Sequence, residues 1–311
     1  MKLSIVTTLY QSESYITEFH QRASAAAKLL VGDDYEIVFV NDGSPDNSLN
    51  LSIKLTEDDP HVVLVDLSRN FGHHKAMMTG LDTSKGEQVF LIDSDLEEDP
   101  EWLAVFTERM AAEDSDVVYG IQSKRKGNII EIISGWCFYK LFRILSGINQ
   151  PSNIVTARLM SRRYVDALLM HHERELNIGG LWIITGFKQY AQTIKKHSAS
   201  KTTYSLSKKF SHLVNATTSF SNIPLKFTFY SGLVIFLSAL SYISYLTTRY
   251  LFIASPPDGY TSIITSIWLF SGLIILFLGI QGIYISKIFS EVKQRPNTII
   301  RNIYTHTKRR D

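Results

Sequence analysis

The sequence predicts an α/β domain with a mostly parallel sheet, followed by a two-helix transmembrane hairpin. Three observations predict it. Short, near-continuous apolar runs alternate with helix-length segments over the first 120 residues. Acidic residues stand where several of those runs end. Two long uncharged runs follow near the C-terminus.

The elements are justified in order. "LSIVTT" (3–8), "EIVFV" (36–40), "VVLVDL" (62–67), "QVFLID" (88–93) and "DVVYG" (116–120) are short, apolar and rich in β-branched residues. Strands buried on both faces read this way. The segments between them, roughly 13–30, 46–56, 73–83 and 100–112, suit helices, and "SPDNS" and "EDPEW" carry helix-start residues. Alternation of this kind argues for a mostly parallel sheet, with ligands at the carboxyl ends of the strands. "NIIEIISGWCFYKLFRILSGI" (128–148) mixes apolar residues with Glu131, Lys140 and Arg143. It suits a helix lying in a membrane interface, or a buried bundle helix. "KFSHLVNATTSFSNIP" (209–224) reads as a second interfacial helix.

Residues 227–246 and 262–286 contain no charge, and each is long enough to span a hydrocarbon core of about 20 residues. The connection "TTRYLFIASPPDGY" (247–260) is short and rich in turn formers. The tail after residue 286 holds seven Lys or Arg, against Glu291 and Asp311. By the positive-inside rule the large domain and both termini face the cytoplasm. The expected organisation is therefore a domain over 1–225, two spans within 226–286 and a basic tail over 287–311.

Composition narrows the function classes. The 311 residues carry a net charge of +2, which makes no case for nucleic acid. The single cysteine, Cys137, forms no intrachain disulfide. No G-x-G-x-x-G follows the first strand and no Walker sequence occurs, which argues against a dinucleotide oxidoreductase and a P-loop hydrolase.

The stretch "VFLIDSDLEEDP" (89–100) carries the chemistry. Asp93 and Asp95 are two residues apart where a strand ends, so both can face one crevice. Paired carboxylates repel unless something positive joins them. Mg²⁺ or Mn²⁺ would do so, and such ions are commonly shared with substrate phosphates. A nucleoside-diphosphate sugar is the natural partner, because a cation stabilises charge building on the departing β-phosphate. The alternative is an acidic helix cap. Glu97, Glu98 and Asp99 read as turn and cap residues.

"VNDGSPDNS", "LSRNFGHHKAMMTGL", "DSDLEEDPE", "RLMSRR", "GGLWIITGF", "SFSNIPLKF" and "EVKQRP" occur in this order over nearly the whole chain. Together they resemble bacterial polyprenyl-phosphate glycosyltransferases of glycosyltransferase family 2, relatives of bactoprenol glucosyltransferases and dolichyl-phosphate mannose synthase. The resemblance implies a GT-A fold and inverting transfer of one sugar from a nucleotide donor to undecaprenyl phosphate at the bacterial inner membrane, with a divalent metal. UDP donors are expected ahead of GDP donors, and a homo-oligomer stays open. Other lipid acceptors, or a non-catalytic membrane scaffold, are the alternatives.

Residue by residue, the resemblance implies that Asp42 contacts the base or ribose. It implies that Asp93 faces nucleotide and metal and that Asp95 ligates the metal. Arg69 and Asn70 resemble part of the nucleotide wall, with an ion pair to a loop acid as the alternative for Arg69. Lys75 reaches a phosphate or is solvated. Arg158 matches an arginine beside the acceptor phosphate, supported by Arg162 and Lys201. Asp93, Asp95 and Arg158 thus form the expected catalytic set. There are departures. Thr156 stands where an aspartate is common, Gly179 where an arginine is common, and Thr203 where a lysine is common.

Overall fold

The computed structural model describes residues 1–122, 153–173, 178–195, 223–252 and 259–306. The expected interfacial helix over 128–148 and most of the one over 209–224 lie outside them, as do Lys201 and Thr203. The chain divides into two compact units. One comprises 1–139, 149–204 and 295–311, and the other 140–148 and 205–294.

The first unit is an eight-stranded sheet. Its strands are β1 (Leu3–Leu9), β2 (Tyr35–Asn41), β3 (Val62–Leu67), β4 (Gln88–Leu91), β5 (Val117–Gln122), β6 (Ile154–Ser161), β7 (Gln189–Ile194) and β8 (Ile300–Thr305). The spatial order is β7-β5-β6-β4-β1-β2-β3-β8. β1 pairs in parallel with both β2 and β4, β2 with β3, and β5 with β7. β6 runs antiparallel between β4 and β5, and β8 antiparallel to β3. Every residue of β1 and β2 is buried, as the continuous apolar runs require.

Helices α1 (Ile16–Val31), α2 (Ser48–Asp58), α3 (His73–Thr83) and α4 (Trp102–Glu113) follow β1 to β4. Two shorter helices are α5 (Arg162–Leu169) and α6 (Ile178–Ile184). Alternate strand residues serve the two faces. On one face Phe39 meets Phe19 of α1 edge-on at 6.0 Å, and Phe90 meets Phe106 of α4 at 5.9 Å. On the other, α3 lies so close to the sheet that a Cβ on Gly80 would stand 2.5 Å from Val6 Cγ1 and 2.9 Å from Val40 Cγ2. Chain order reverses at β1, where β2 continues on one side and β4 returns on the other. That is the switch point at which such sheets bind ligands.

The second unit contains α7 (Ile223–Phe252) and α8 (Tyr260–Val292). Both expected spans are helical. Among the described residues, one stretch, Phe270–Val292, is long and apolar enough to cross a membrane, and Leu225–Ile235 is a shorter apolar stretch. The basic tail expected over 287–311 contains two of the described elements. α8 continues to Val292, and Ile300–Thr305 returns to the sheet as β8.

Candidate active site

The carboxyl ends of β1 to β4 form one edge, and they meet there the start of antiparallel β6. Leu91 pairs with Arg158, so Ile154 to Ala157 extend beyond the end of β4 toward that edge.

The D-S-D stretch leaves β4 in an alternating pattern. Ser94 is buried and donates its hydroxyl to Thr8 O at 3.0 Å, and its Oγ lies 3.2 Å from Ser12 Oγ. This pins the stretch to the exit of β1. The flanking acids stay accessible: Asp95 is exposed and Asp93 partly so. Asp95 Oδ1 accepts the Glu97 N–H at 3.0 Å, and the turn puts Leu96 at φ 58°. Among the described residues no cluster of three His, Cys, Asp or Glu forms a complete cation cage. Two accessible carboxylates at a strand exit fit a cation completed by substrate phosphates, as Mg²⁺ sites commonly are.

His73, the first residue of α3, joins these parts. Its Nδ1 lies 2.9 Å from Thr8 Oγ1 and its Nε2 3.3 Å from Asp93 Oδ1. Burial works to lower the His73 pKa, but the Asp93 carboxylate together with the charges of Asp42 and Glu98 outweighs it and the net shift is upward.

The loops after β2 and β3 are laced together. Asp42 is buried; its Oδ1 accepts the Phe71 N–H at 2.7 Å and its Oδ2 the Gly72 N–H at 3.0 Å. Burial pushes its carboxyl up, against those two bonds and the charges of His73 and Arg69. Asn41 Nδ2 donates to Asp66 Oδ1 at 2.8 Å. Gly43 adopts φ 60°, and a Cβ there would stand 2.5 Å from the Arg69 backbone. Arg69 is exposed, lies over the Phe71 ring at 4.0 Å and donates to Asn70 O. It pairs with no acid among the described residues. Asn70 is exposed, and Lys75 lines a small cavity with Phe71, Gly72, His73 and His74.

The acceptor-side residues separate. Arg158 is buried, with Nε donating to Thr156 O at 3.2 Å and its guanidinium stacked on the Trp182 ring. Burial pushes its pKa down to about 9, while Tyr164, Glu98 and Tyr119 act the other way. No carboxylate forms an ion pair with it among the described residues. Arg162 is not brought to the crevice. β6 runs antiparallel to β4, so Arg162 stands past Gln88 at the opposite edge, where it donates to Gly86 O and Ser84 Oγ.

Sequence reasoning missed four contributors. Glu98, read as a turn or cap residue, is fully buried and grips β6. Its Oε1 accepts the Thr156 N–H at 3.1 Å and its Oε2 the Ala157 N–H at 2.8 Å. His73, His74 and Trp182 line a cavity with Glu98. Only a composite signal pointed to them: "GHHK" follows an apolar strand and "GGLW" precedes one.

The family described as Glycosyl transferase family 2 matches residues 4–169. A protein of Mycobacterium tuberculosis named as a glycosyltransferase is 47% identical, over 98% of this chain and 89% of its own length. The glycosyltransferase YkcC of Bacillus subtilis is 34% identical, over 98% and 94%. The bactoprenol glucosyl transferase of Shigella phage SfV is 32% identical, over 97% and 99%.

Proposed function

The chain belongs to glycosyl transferase family 2, and on that premise we propose that it moves a single sugar from a nucleotide-diphosphate sugar to a polyprenyl phosphate, undecaprenyl phosphate in a bacterial membrane. The observation that carries this reading is the D-S-D stretch. Its buried serine is pinned to β1 while Asp93 and Asp95 remain accessible at the switch point of the sheet. The similarity to a bactoprenol glucosyl transferase over nearly the full length supports the acceptor.

Asp95 and Asp93 would hold Mg²⁺ or Mn²⁺ together with the diphosphate. When bound, such a cation stabilises the negative charge of the leaving nucleoside diphosphate. The loops after β2 and β3, with Arg69, Asn70 and Lys75, are the nucleotide side. Asp42 serves it by holding the Phe71 and Gly72 N–H groups in place. The acceptor phosphate is anionic near neutral pH, with a second pKa of about 6. Its oxygen can therefore attack the anomeric carbon as the bond to the β-phosphate breaks, with inversion and without a protein base. Thr156, in place of a common acid, is compatible with that route. Arg158 remains the proposed phosphate partner. A buried guanidinium without a carboxylate is costly, and an entering anion offsets that cost.

The chain's position at the membrane is part of the proposal. β8 is hydrogen-bonded to β3, so the chain leaves the sheet near residue 195 and returns to the same sheet at 300. Its crossings between those points must be even in number. On this proposal α7 supplies the second crossing beside Phe270–Val292, and both termini lie with the sheet in the cytoplasm. Asp258→Cys in a Cys137→Ser background should react with an impermeant thiol reagent from outside the cell; labelling from the cytoplasm alone would refute the hairpin.

The decisive assay presents purified full-length protein with UDP- and GDP-sugars, Mg²⁺ or Mn²⁺, and undecaprenyl phosphate. The expected product is a lipid-linked monosaccharide with inverted anomeric configuration. Transfer to diacylglycerol or to lipid-linked saccharides, with none to the phosphate, would overturn the reading.

A further inference from the structure

Beside Asp93 lies a cavity of about 340 Å³, within the roughly 300–1,000 Å³ of small-molecule sites. His73, which contacts Asp93, forms one wall, and Glu98, from the turn after the D-S-D stretch, forms another. A sugar carried by a diphosphate held near Asp93 would lie next to this cavity, with His73 between them.

Three features define its chemistry. Trp182 lines it and is 7% exposed, and among the described residues its indole N–H has no hydrogen-bond partner. A buried donor without an acceptor is costly, which calls for an acceptor from a ligand. Thr156 and Gly179 both line the same cavity. These are the two positions where the family resemblance leads one to expect an aspartate and an arginine. A hydroxyl and a bare Cα bring no charge to that wall and fill little of its space. The third feature is the apolar wall of Met77, Val155 and Ile178.

We infer that this cavity receives the transferred sugar and selects a 2-acetamido sugar, an N-acetylhexosamine, over the corresponding hexose. An acetamido group carries a carbonyl acceptor for an indole N–H and a methyl for an apolar wall, and it needs no charged partner. A 2-hydroxyl could meet the donor but would leave the apolar wall uncovered. A phosphate is disfavoured by the Glu98 carboxylate on the same lining. The inference rests on the reading of the chain as a nucleotide-sugar transferase.

Binding to the full-length protein in detergent with Mg²⁺, and without lipid acceptor, tests it. UDP-GlcNAc and UDP-GalNAc are titrated against UDP-glucose and UDP-galactose, with UDP alone normalising each protein for its nucleotide site. At least one acetamido donor should bind tenfold or more tighter than its hexose counterpart. Trp182→Phe keeps an aromatic ring and removes the N–H, and should bring that ratio to within about threefold. Gly179→Val refills the cavity and should weaken the acetamido donor more than the hexose donor. Equal or tighter binding of the hexose donors by the native protein would overturn the inference. So would a ratio unchanged in both variants. If the preference holds but no sugar reaches undecaprenyl phosphate, the acceptor assignment fails and the inference stands. If neither UDP nor GDP binds, both fall.

Discussion

Glu98→Gln tests how the site is assembled. Both Glu98 oxygens accept backbone N–H groups from β6, at 3.1 Å from Thr156 and 2.8 Å from Ala157, inside a fully buried pocket. Glutamine is nearly isosteric but keeps one acceptor oxygen. Its amide group must then point N–H against N–H, and one backbone donor is orphaned. A hydrogen bond to a charged group contributes about 1.5–3 kcal/mol, and an orphaned buried donor costs a similar amount, so a loss of roughly 2–4 kcal/mol is expected. For a domain of this size about 1 kcal/mol moves Tm by about 2–4 °C, so the drop should be roughly 5–15 °C. Thermal unfolding of full-length Glu98→Gln in detergent measures it, with Glu57→Gln on the exposed face of α2 as the control. Donor KM should rise too, because Thr156 lines the cavity. A Glu98→Gln midpoint within about 2 °C of the Glu57→Gln control would refute the lock between the D-S-D turn and β6.

Asp95→Asn should cut kcat by more than tenfold with little change in Tm, since the side chain is exposed, and chelator should abolish native activity; full turnover in excess chelator would remove the cation from the scheme. Gly80→Ala should destabilise by roughly 1–3 kcal/mol through overpacking against Val6 and Val40, read from the urea midpoint. Asp59 is partly buried, which raises its pKa, but its bonds from His61 and His20 outweigh burial and hold it below the ordinary 3.8. Its contribution is thus complete above that ordinary value and is lost as pH falls through the lower folded value. Asp59→Asn should therefore destabilise at pH 7 and flatten the acid limb of the stability curve. Arg158→Lys keeps the charge and loses the planar fork, so the lipid KM should rise or kcat fall while donor binding changes less; equal loss of both would place Arg158 on the nucleotide side or in the fold.

The parallel half of the sheet was legible because burial on both faces leaves a local signature. "EIVFV" and "VVLVDL" are apolar at almost every position; β2 extends one residue beyond expectation at each end and β3 matches it. The strands that were not foreseen have no such signature. β7 reads "QYAQTI", with only Ile194 buried, and β8 reads "IRNIYT", with five of its six residues exposed. Both are edge strands, covered on one side of the ladder and open on the other, so nothing forces an apolar run. β6 is apolar enough, but its direction is set by pairing with β4 and β5, from which it is distant in sequence. The return of the tail to β3 is likewise a pairing between residues more than 230 apart.

The site divides along the same line. Asp93 and Asp95 could be read from spacing because their role depends on one strand exit and on alternation across Ser94. Glu98 could not, since its partners lie nearly 60 residues on, at the start of β6. Arg158 and Arg162 show why a short motif does not fix a site. They sit four residues apart in "RLMSR", yet the strand carries Arg158 beneath Trp182 and Arg162 to the opposite edge. A strand advances about 3.3 Å per residue, so those four steps are about 13 Å, more than half the length of a strand such as β1. Thr156 and Gly179 show the converse. In sequence they are separate departures from a family pattern, 23 residues apart. In the fold both line one cavity, so two departures that look unrelated in sequence act on the same ligand space. Neither residue brings a charge to that space, and the Glu98 carboxylate on the lining is held by the Thr156 and Ala157 N–H groups of β6.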